Sequence, residues 1–215
     1  MLLEKERIDI IEKCKKLVTH GLTVGTGGNI SIFDRKTELM AISPSGIDYF
    51  SAKPDDIVIM DMNNNIIDSS RKPSSEWEMH SIFYKRRNDI NAVVHTHSTY
   101  CTVLATLHKP LPASNYMVAL AGYDVRCADY QTFGTSELAE AAFNAMLDRQ
   151  AVLLANHGLL TGSGTLDAAF NIAEQLEHCA KIHCVASSFG EPIILDYEEM
   201  TLMKEKFRTY GQSHK

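Results

Sequence analysis

The sequence predicts an α/β protein whose sheet is antiparallel or mixed, rather than one built from repeated strand–helix–strand units. Two observations carry this. Short apolar segments at 30–33, 39–42, 57–60 and 66–67 follow one another with only tight turns between them. Two further apolar strands, at 92–97 and 151–155, lie between stretches of helical periodicity, and each leads into histidine.

Taken in order, residues 5–20 place Ile10, Cys14 and Leu17 on one helical face with Ile11 and Val18 beside them, and Gly21 supplies the stop. Gly25-Thr26-Gly27-Gly28-Asn29 then makes a glycine turn. Successive N–H groups in such a turn can form an anion nest. No Lys-Ser/Thr follows, so it is not a nucleotide P-loop. Ser43-Pro44-Ser45-Gly46 turns the chain after the second strand, and Asn63-Asn64-Asn65 marks a hairpin into Ile66-Ile67. Pro73-Ser74-Ser75-Glu76-Trp77-Glu78 opens a helix. Ser75 reads as its N-cap and Glu78 as the partner in a capping box, which leaves Glu76 free in the first turn. The simplest role for Glu76 there is to complement the helix dipole, and Ser74 and Ser75 sit where a helix N-terminus favours anions. Met79, Ile82 and Phe83 form that helix's buried stripe.

Further helices are expected at about 99–108, from Thr135 to about Leu147, over about 166–188 and over about 198–207. Pro110 and Pro112 break the pattern between them, and 125–128 reads as a short strand. There is no internal repeat, low-complexity tract or linker, so one domain over 1–215 is expected.

Composition excludes several classes. A net charge of -6 leaves no basic face for a phosphodiester backbone, so a nucleic-acid partner is not expected. No apolar run approaches the roughly 18 residues of a membrane span. The N-terminus is charged almost at once and lacks a signal-peptide core. Cys14, Cys101, Cys127, Cys179 and Cys184 are odd in number and without a Cys-x-x-Cys, which points to reduced thiols in a cytoplasmic protein.

The chemistry is concentrated at Ala92-Val93-Val94-His95-Thr96-His97. Residues two apart on a strand share a face, so His95 and His97 would present both imidazoles to one place. A third apolar strand end carries His157, in Asn156-His157-Gly158. If the two strands are neighbours, three imidazoles meet with an open position, the catalytic zinc arrangement, and Glu76 could add a displaceable carboxylate. Strand-end histidines bonded to backbone and water are the plainer alternative. A rival pair, Cys179 and His183, is spaced i, i+4 on the long helix, but Cys179 also lies on its apolar stripe with Ile172 and Leu176, so packing is the default there. His20, His80, His108 and His214 show no partner spacing.

Those segments, with Phe207-Arg208-Thr209-Tyr210-Gly211, fall in the order and rough spacing of the class II aldolase/epimerase family, which the chain resembles nearly end to end. Each motif alone is weak; the combination is specific. The resemblance implies a three-layer α/β/α domain around a mainly antiparallel sheet. It implies zinc on Glu76, His95, His97 and His157, and substrate phosphate held among Thr26, Gly28, Asn29, Ser45, Gly46, Ser74 and Ser75. It implies a homotetramer with active sites at subunit interfaces, Tyr116 acting from the neighbouring subunit and Tyr210 from a C-terminal tail. The implied reaction is aldol cleavage of a ketose 1-phosphate, L-fuculose 1-phosphate first among them, to dihydroxyacetone phosphate and a short aldehyde such as L-lactaldehyde. A ribulose-5-phosphate 4-epimerase type is the nearest enzyme alternative, but such epimerases carry aspartate where this chain has Glu76. A non-catalytic scaffold like the adducin head domain is the alternative from another class, and it lacks the metal ligands that this chain has.

Overall fold

The computed structural model describes residues 1–210. Eight strands form one sheet: β1 (Asn29–Asp34), β2 (Leu39–Ile42), β3 (Val58–Asp61), β4 (Ile66–Asp68), β5 (Ala92–Thr96), β6 (Cys127–Ala128), β7 (Ala151–Leu154) and β8 (Gly158–Ser163). Their order across the sheet is β4-β3-β2-β1-β5-β8-β7-β6. Every pairing is antiparallel except the short edge pair of β6 with β7. The expected mainly antiparallel sheet is present.

Six α-helices flank it: α1 (Glu4–Thr19), α2 (Trp77–Arg86), α3 (Thr99–Thr106), α4 (Ser136–Ala145), α5 (Leu166–Phe189) and α6 (Tyr197–Arg208). The period-2 alternation of the strands sorts the core into two layers. Val94, Ala41, Ile59 and Leu153 pack with Ile10 and Leu17 of α1, Leu104 of α3 and Phe170 and Leu176 of α5. Val93, Met40, Met60 and Leu154 face the other way, onto Met79 and Phe83 of α2 and Leu138 and Phe143 of α4. This is the three-layer α/β/α arrangement. Buried Arg7 ties α1 to the rest by donating to the carbonyls of Pro54 and Ile57 and pairing with Asp68.

Two sequence expectations are corrected. The segment after Asn156-His157, to which the sequence assigned no element, is a strand, β8. β8 lies between β5 and β7, so the two histidine-bearing strands are not neighbours. The second correction concerns the start of α2. The helix begins at Trp77, and Glu76 itself occupies the N-cap position without capping through its side chain. Ser74 supplies the local bonds, its Oγ accepting from the Glu76 N–H and its carbonyl from the Trp77 N–H, so the Ser75–Glu78 capping box does not form. Ser74 is fixed in that role because its own N–H donates to the Ser43 carbonyl.

Candidate metal centre and phosphate cleft

β8 explains how the third histidine arrives. Residues 155–157 form the turn of the β7–β8 hairpin, with Leu154 paired to Gly158 and Asn156 in the left-handed region at φ 55. Asn tolerates that conformation better than other non-glycine residues because its short polar side chain bonds locally. Its Oδ1 accepts from His108 Nε2 at 2.6 Å. β8 pairs with β5 on its other side, and the backbones approach closely at Gly158: a Cβ there would lie 2.2 Å from the Thr96 carbonyl oxygen. His157 therefore sits beside the C-terminal end of β5.

The three imidazoles each offer a nitrogen within 4.8 Å of the others. His95 Nε2 lies 2.9 Å from His97 Nε2 and 3.2 Å from His157 Nε2. Glu76 joins them, with Oε2 3.4 Å from His95 Nε2 and Oε1 3.3 Å from His157 Nε2. Four residues from far-apart segments thus converge. No other group of three or more possible ligands is found among the described residues. In particular Cys179 is buried in the core, and His183 Nδ1 pairs with Ser114 Oγ at 3.0 Å.

The electrostatics favour neutral imidazoles at His95 and His97. Burial pushes His95 well below the usual imidazole range, and its neighbours His157 and His97 push the same way. Burial also lowers His97. His95 Nδ1 is 3.0 Å from the Leu159 carbonyl and must donate to it, so its Nε2 carries a lone pair. Lone pairs so close together repel unless a proton or a cation lies between them. Ligands about 2.0–2.1 Å from a tetrahedral ion stand roughly 3.3 Å apart, close to the spacings here. Glu76 Oε1 is buried and makes no hydrogen bond, an orphan that a cation would satisfy. A nitrogen and carboxylate donor set of this kind suits zinc and other borderline divalent metals.

A cleft of about 390 Å³ opens above these ligands. Thr26, Gly28, Asn29, Ser45, Gly46, Ser74 and Ser75, the expected phosphate residues, all line it, together with Glu76, His97 and His157. His95 lies fully buried beneath. Gly28 brings the glycine turn down onto β5: its φ is 72 and a Cβ would meet the His95 carbonyl oxygen at 2.7 Å. No lysine or arginine lines the cleft among the described residues, so an anion there meets uncharged N–H and O–H donors. The same absence leaves no cleft amine for a Schiff base.

Asn29 is more deeply engaged than expected. Its Nδ2 donates to Glu76 Oε2 at 2.9 Å, and its Oδ1 meets His80 Nε2 at 2.5 Å. His80 showed no partner spacing in the sequence, yet it is wholly buried, with its pKa pushed down to about 3 chiefly by that burial. Its signal was available: His80 stands four residues after Glu76, one helical turn away. Tyr130, Gln131 and Phe133 also line the cleft and were missed, because nothing in a loop of mixed composition marks which pocket it will border.

Tyr116 and Tyr210 do not line this cleft. They meet each other's neighbourhood instead, both packing on Phe207 with ring centroids 6.1 Å away. Tyr116 is 51% exposed and Tyr210 85%, and neither lines the cleft above the candidate metal ligands of its own chain. Gly211 and His214 lie outside the described residues.

The family profile described as class II aldolase and adducin N-terminal domain matches residues 8–184, from α1 to near the end of α5. The chain belongs to the class II aldolase family. Like the aldolases it resembles, it is an aldehyde-lyase, and members of that class depend on a metal. A curated relative, 5-deoxy-D-ribulose 1-phosphate aldolase from Bacillus thuringiensis serovar kurstaki, is 53% identical over 99% of this chain and 100% of its own. L-fuculose phosphate aldolase from Escherichia coli strain K12 is 39% identical over 94% of each. A solved structure titled L-fuculose 1-phosphate aldolase superposes on this class II aldolase with a TM-score of 0.95 at 57% identity, covering 97% of this chain and 98% of that one.

Proposed function

We propose that this class II aldolase cleaves a deoxyketose 1-phosphate reversibly to dihydroxyacetone phosphate and a short aldehyde, using zinc held by Glu76, His95, His97 and His157. The observation that carries the reading is the convergence of three imidazole nitrogens with a buried carboxylate whose Oε1 has no hydrogen bond, beneath a cleft rimmed with neutral donors. Bound there, zinc supplies Lewis-acid polarisation of the substrate carbonyl where negative charge develops.

The residues divide the remaining work. The 25–29 turn, with Ser45, Gly46, Ser74 and Ser75, holds the phosphate and so fixes the reacting carbons against the metal ligands. In the synthetic direction Glu76 takes the C3 proton of dihydroxyacetone phosphate as general base; in cleavage it returns that proton to C3 as the C3–C4 bond breaks. Tyr116, reaching over from the neighbouring subunit of a homotetramer, protonates or orients the aldehyde oxygen in synthesis and takes up the C4 hydroxyl proton in cleavage, and Tyr210 closes on the substrate from the C-terminal tail. The chain acts as one domain in a cytosolic compartment.

Two substrates have specific support. The 53% identity to a 5-deoxy-D-ribulose 1-phosphate aldolase favours that five-carbon sugar, whose C3–C4 cleavage gives acetaldehyde. The 57% identity to the solved L-fuculose 1-phosphate aldolase favours the six-carbon sugar, which gives lactaldehyde. Both end in a methyl group and share the phosphate half. A coupled assay for dihydroxyacetone phosphate, run on both sugars with zinc-loaded protein, tests the reading. Release from either supports it and ranks the two; no release from either, or epimerisation of ribulose 5-phosphate instead, overturns it.

A further inference from the structure

Behind Glu76 and Asn29 runs a buried chain of polar groups, His80, Ser31 and Tyr84, that the reaction just described does not use. Glu76 Oε2 accepts from Asn29 Nδ2 at 2.9 Å, and Asn29 Oδ1 meets His80 Nε2 at 2.5 Å. His80 Nδ1 meets Ser31 Oγ at 2.7 Å, and Ser31 Oγ meets the Tyr84 hydroxyl at 2.5 Å. All five residues are at most 6% exposed. Two periodicities interlock to build it. Asn29 and Ser31, two apart on β1, share a face, while Glu76, His80 and Tyr84 are successive i, i+4 positions along α2 and its cap.

With Glu76 ionised and His80 neutral, one arrangement of hydrogens satisfies every member. A carboxylate only accepts, so Asn29 turns its amide nitrogen to Glu76 and its Oδ1 to His80. His80 then carries its proton on Nε2 and offers a lone pair at Nδ1. Ser31 donates to that lone pair and accepts from Tyr84. The reverse polarity would set Asn29 Oδ1 against a carboxylate oxygen at 2.9 Å. With the imidazole and the phenol both neutral, every donor in the chain points toward Glu76.

We propose that the chain Tyr84–Ser31–His80–Asn29 positions the Glu76 carboxylate: it ties down Oε2, 3.4 Å from His95 Nε2, and leaves Oε1, the oxygen without a hydrogen bond, facing His157. His80 is in this sense a positioning residue; it touches neither metal ligand imidazole nor substrate. Cutting the chain at His80 leaves the Asn29 amide free to rotate, and Glu76 loses the donor that distinguishes its two oxygens. The inference rests on the reading of Glu76 as a metal ligand and base. Partners that orient metal ligands in this way are worth tenfold to about a hundredfold in metal affinity or activity.

The test uses the full-length, zinc-loaded protein. Imidazole ¹⁵N NMR at pH 7 is expected to show His80 as the neutral Nε2–H tautomer; an Nδ1–H tautomer or an imidazolium overturns the proposal. Zinc affinity by chelator competition and kcat are then compared for His80→Phe, His80→Gln and Ser31→Ala. His80→Phe is expected to lose tenfold or more in both, with KM changed less than about threefold, and His80→Gln, whose amide can still donate to Asn29, to recover most of the loss. Should His80→Phe fail to fold, Ser31→Ala decides, because it removes one hydroxyl and frees the tautomer: a loss of about tenfold in zinc affinity is expected, and wild-type affinity overturns the proposal. If wild-type protein itself binds no zinc and releases no dihydroxyacetone phosphate, the underlying aldolase reading fails as well; unchanged variants of a zinc-binding wild type sink this inference alone.

Discussion

At the scale of single residues, Glu76 is the centre of the proposed chemistry, and its chemistry is separable from its packing. Glu76→Gln keeps the shape and one possible metal-facing oxygen but cannot act as a base. It is expected to bind a non-cleavable dihydroxyacetone phosphate analogue while losing about 10²–10⁴ in kcat, the usual worth of a positioned general base. Wild-type kcat in that variant removes Glu76 from the mechanism. Ser45→Ala and Ser75→Ala remove neutral donors from the phosphate rim, and each is expected to raise KM about tenfold, since one hydrogen bond is worth about 1–1.5 kcal/mol. His80 predicts a pH dependence of stability. Its folded-state pKa, pushed down to about 3 by burial, lies below the ordinary value of 6.5, so only the unfolded chain takes up its proton between these limits. Stability from this group is complete above 6.5 and is lost as the pH falls toward 3, by about 1.4 kcal/mol per pH unit. Urea midpoints measured from pH 7 to pH 4 should therefore fall less steeply for His80→Gln than for wild type.

At the scale of elements, the β7–β8 hairpin does what no single strand could. His157 reaches His95 because β8 folds back between β7 and β5 and pairs with both. That return requires Gly158, where a Cβ would stand 2.2 Å from backbone oxygen and cannot be relieved by a side-chain rotation. Gly158→Ala is expected to push the hairpin off β5, separate His157 from His95 and abolish stoichiometric zinc, read by metal analysis of folded protein. Full zinc occupancy in that variant would mean that the close approach is not what places the ligand. α2 shows the complementary device. Its N-cap position belongs to Glu76, which spends its carboxylate on Asn29 and the imidazoles rather than on the helix N–H groups, and Ser74 makes the local bond instead.

At the scale of the whole molecule, one chain brings together the proposed metal ligands and the proposed phosphate rim but leaves Tyr116 and Tyr210 packed on Phe207, outside the cleft. If Tyr116 serves a neighbour's cleft, two inactive variants should complement each other. Glu76→Gln and Tyr116→Phe proteins, each expected to be impaired by about a hundredfold or more, should regain activity on subunit exchange, because some interfaces then pair an intact Glu76 with an intact Tyr116. No recovery after verified exchange would mean that Tyr116 does not serve a neighbour's cleft. No helix among the described residues is long and apolar enough to cross a membrane, which agrees with the absence of any long apolar run in the sequence.

What the sequence by itself determined was whatever depends on local patterning. Short apolar strands, amphipathic helices, a glycine turn and the candidate imidazoles His95, His97 and His157 are legible because period, turn chemistry and donor atoms are properties of neighbouring residues, whereas Glu76 is picked out by the family resemblance. Only the tertiary structure decided which strands lie side by side, that β8 exists between the histidine strands, and that His80 stands behind Asn29. The physical reason is that a hydrogen bond between Asn29 and His80 joins groups fifty-one positions apart in the chain, and its formation depends on sheet register and helix packing together. A periodic pattern records which face of an element is buried; it does not record what that face meets.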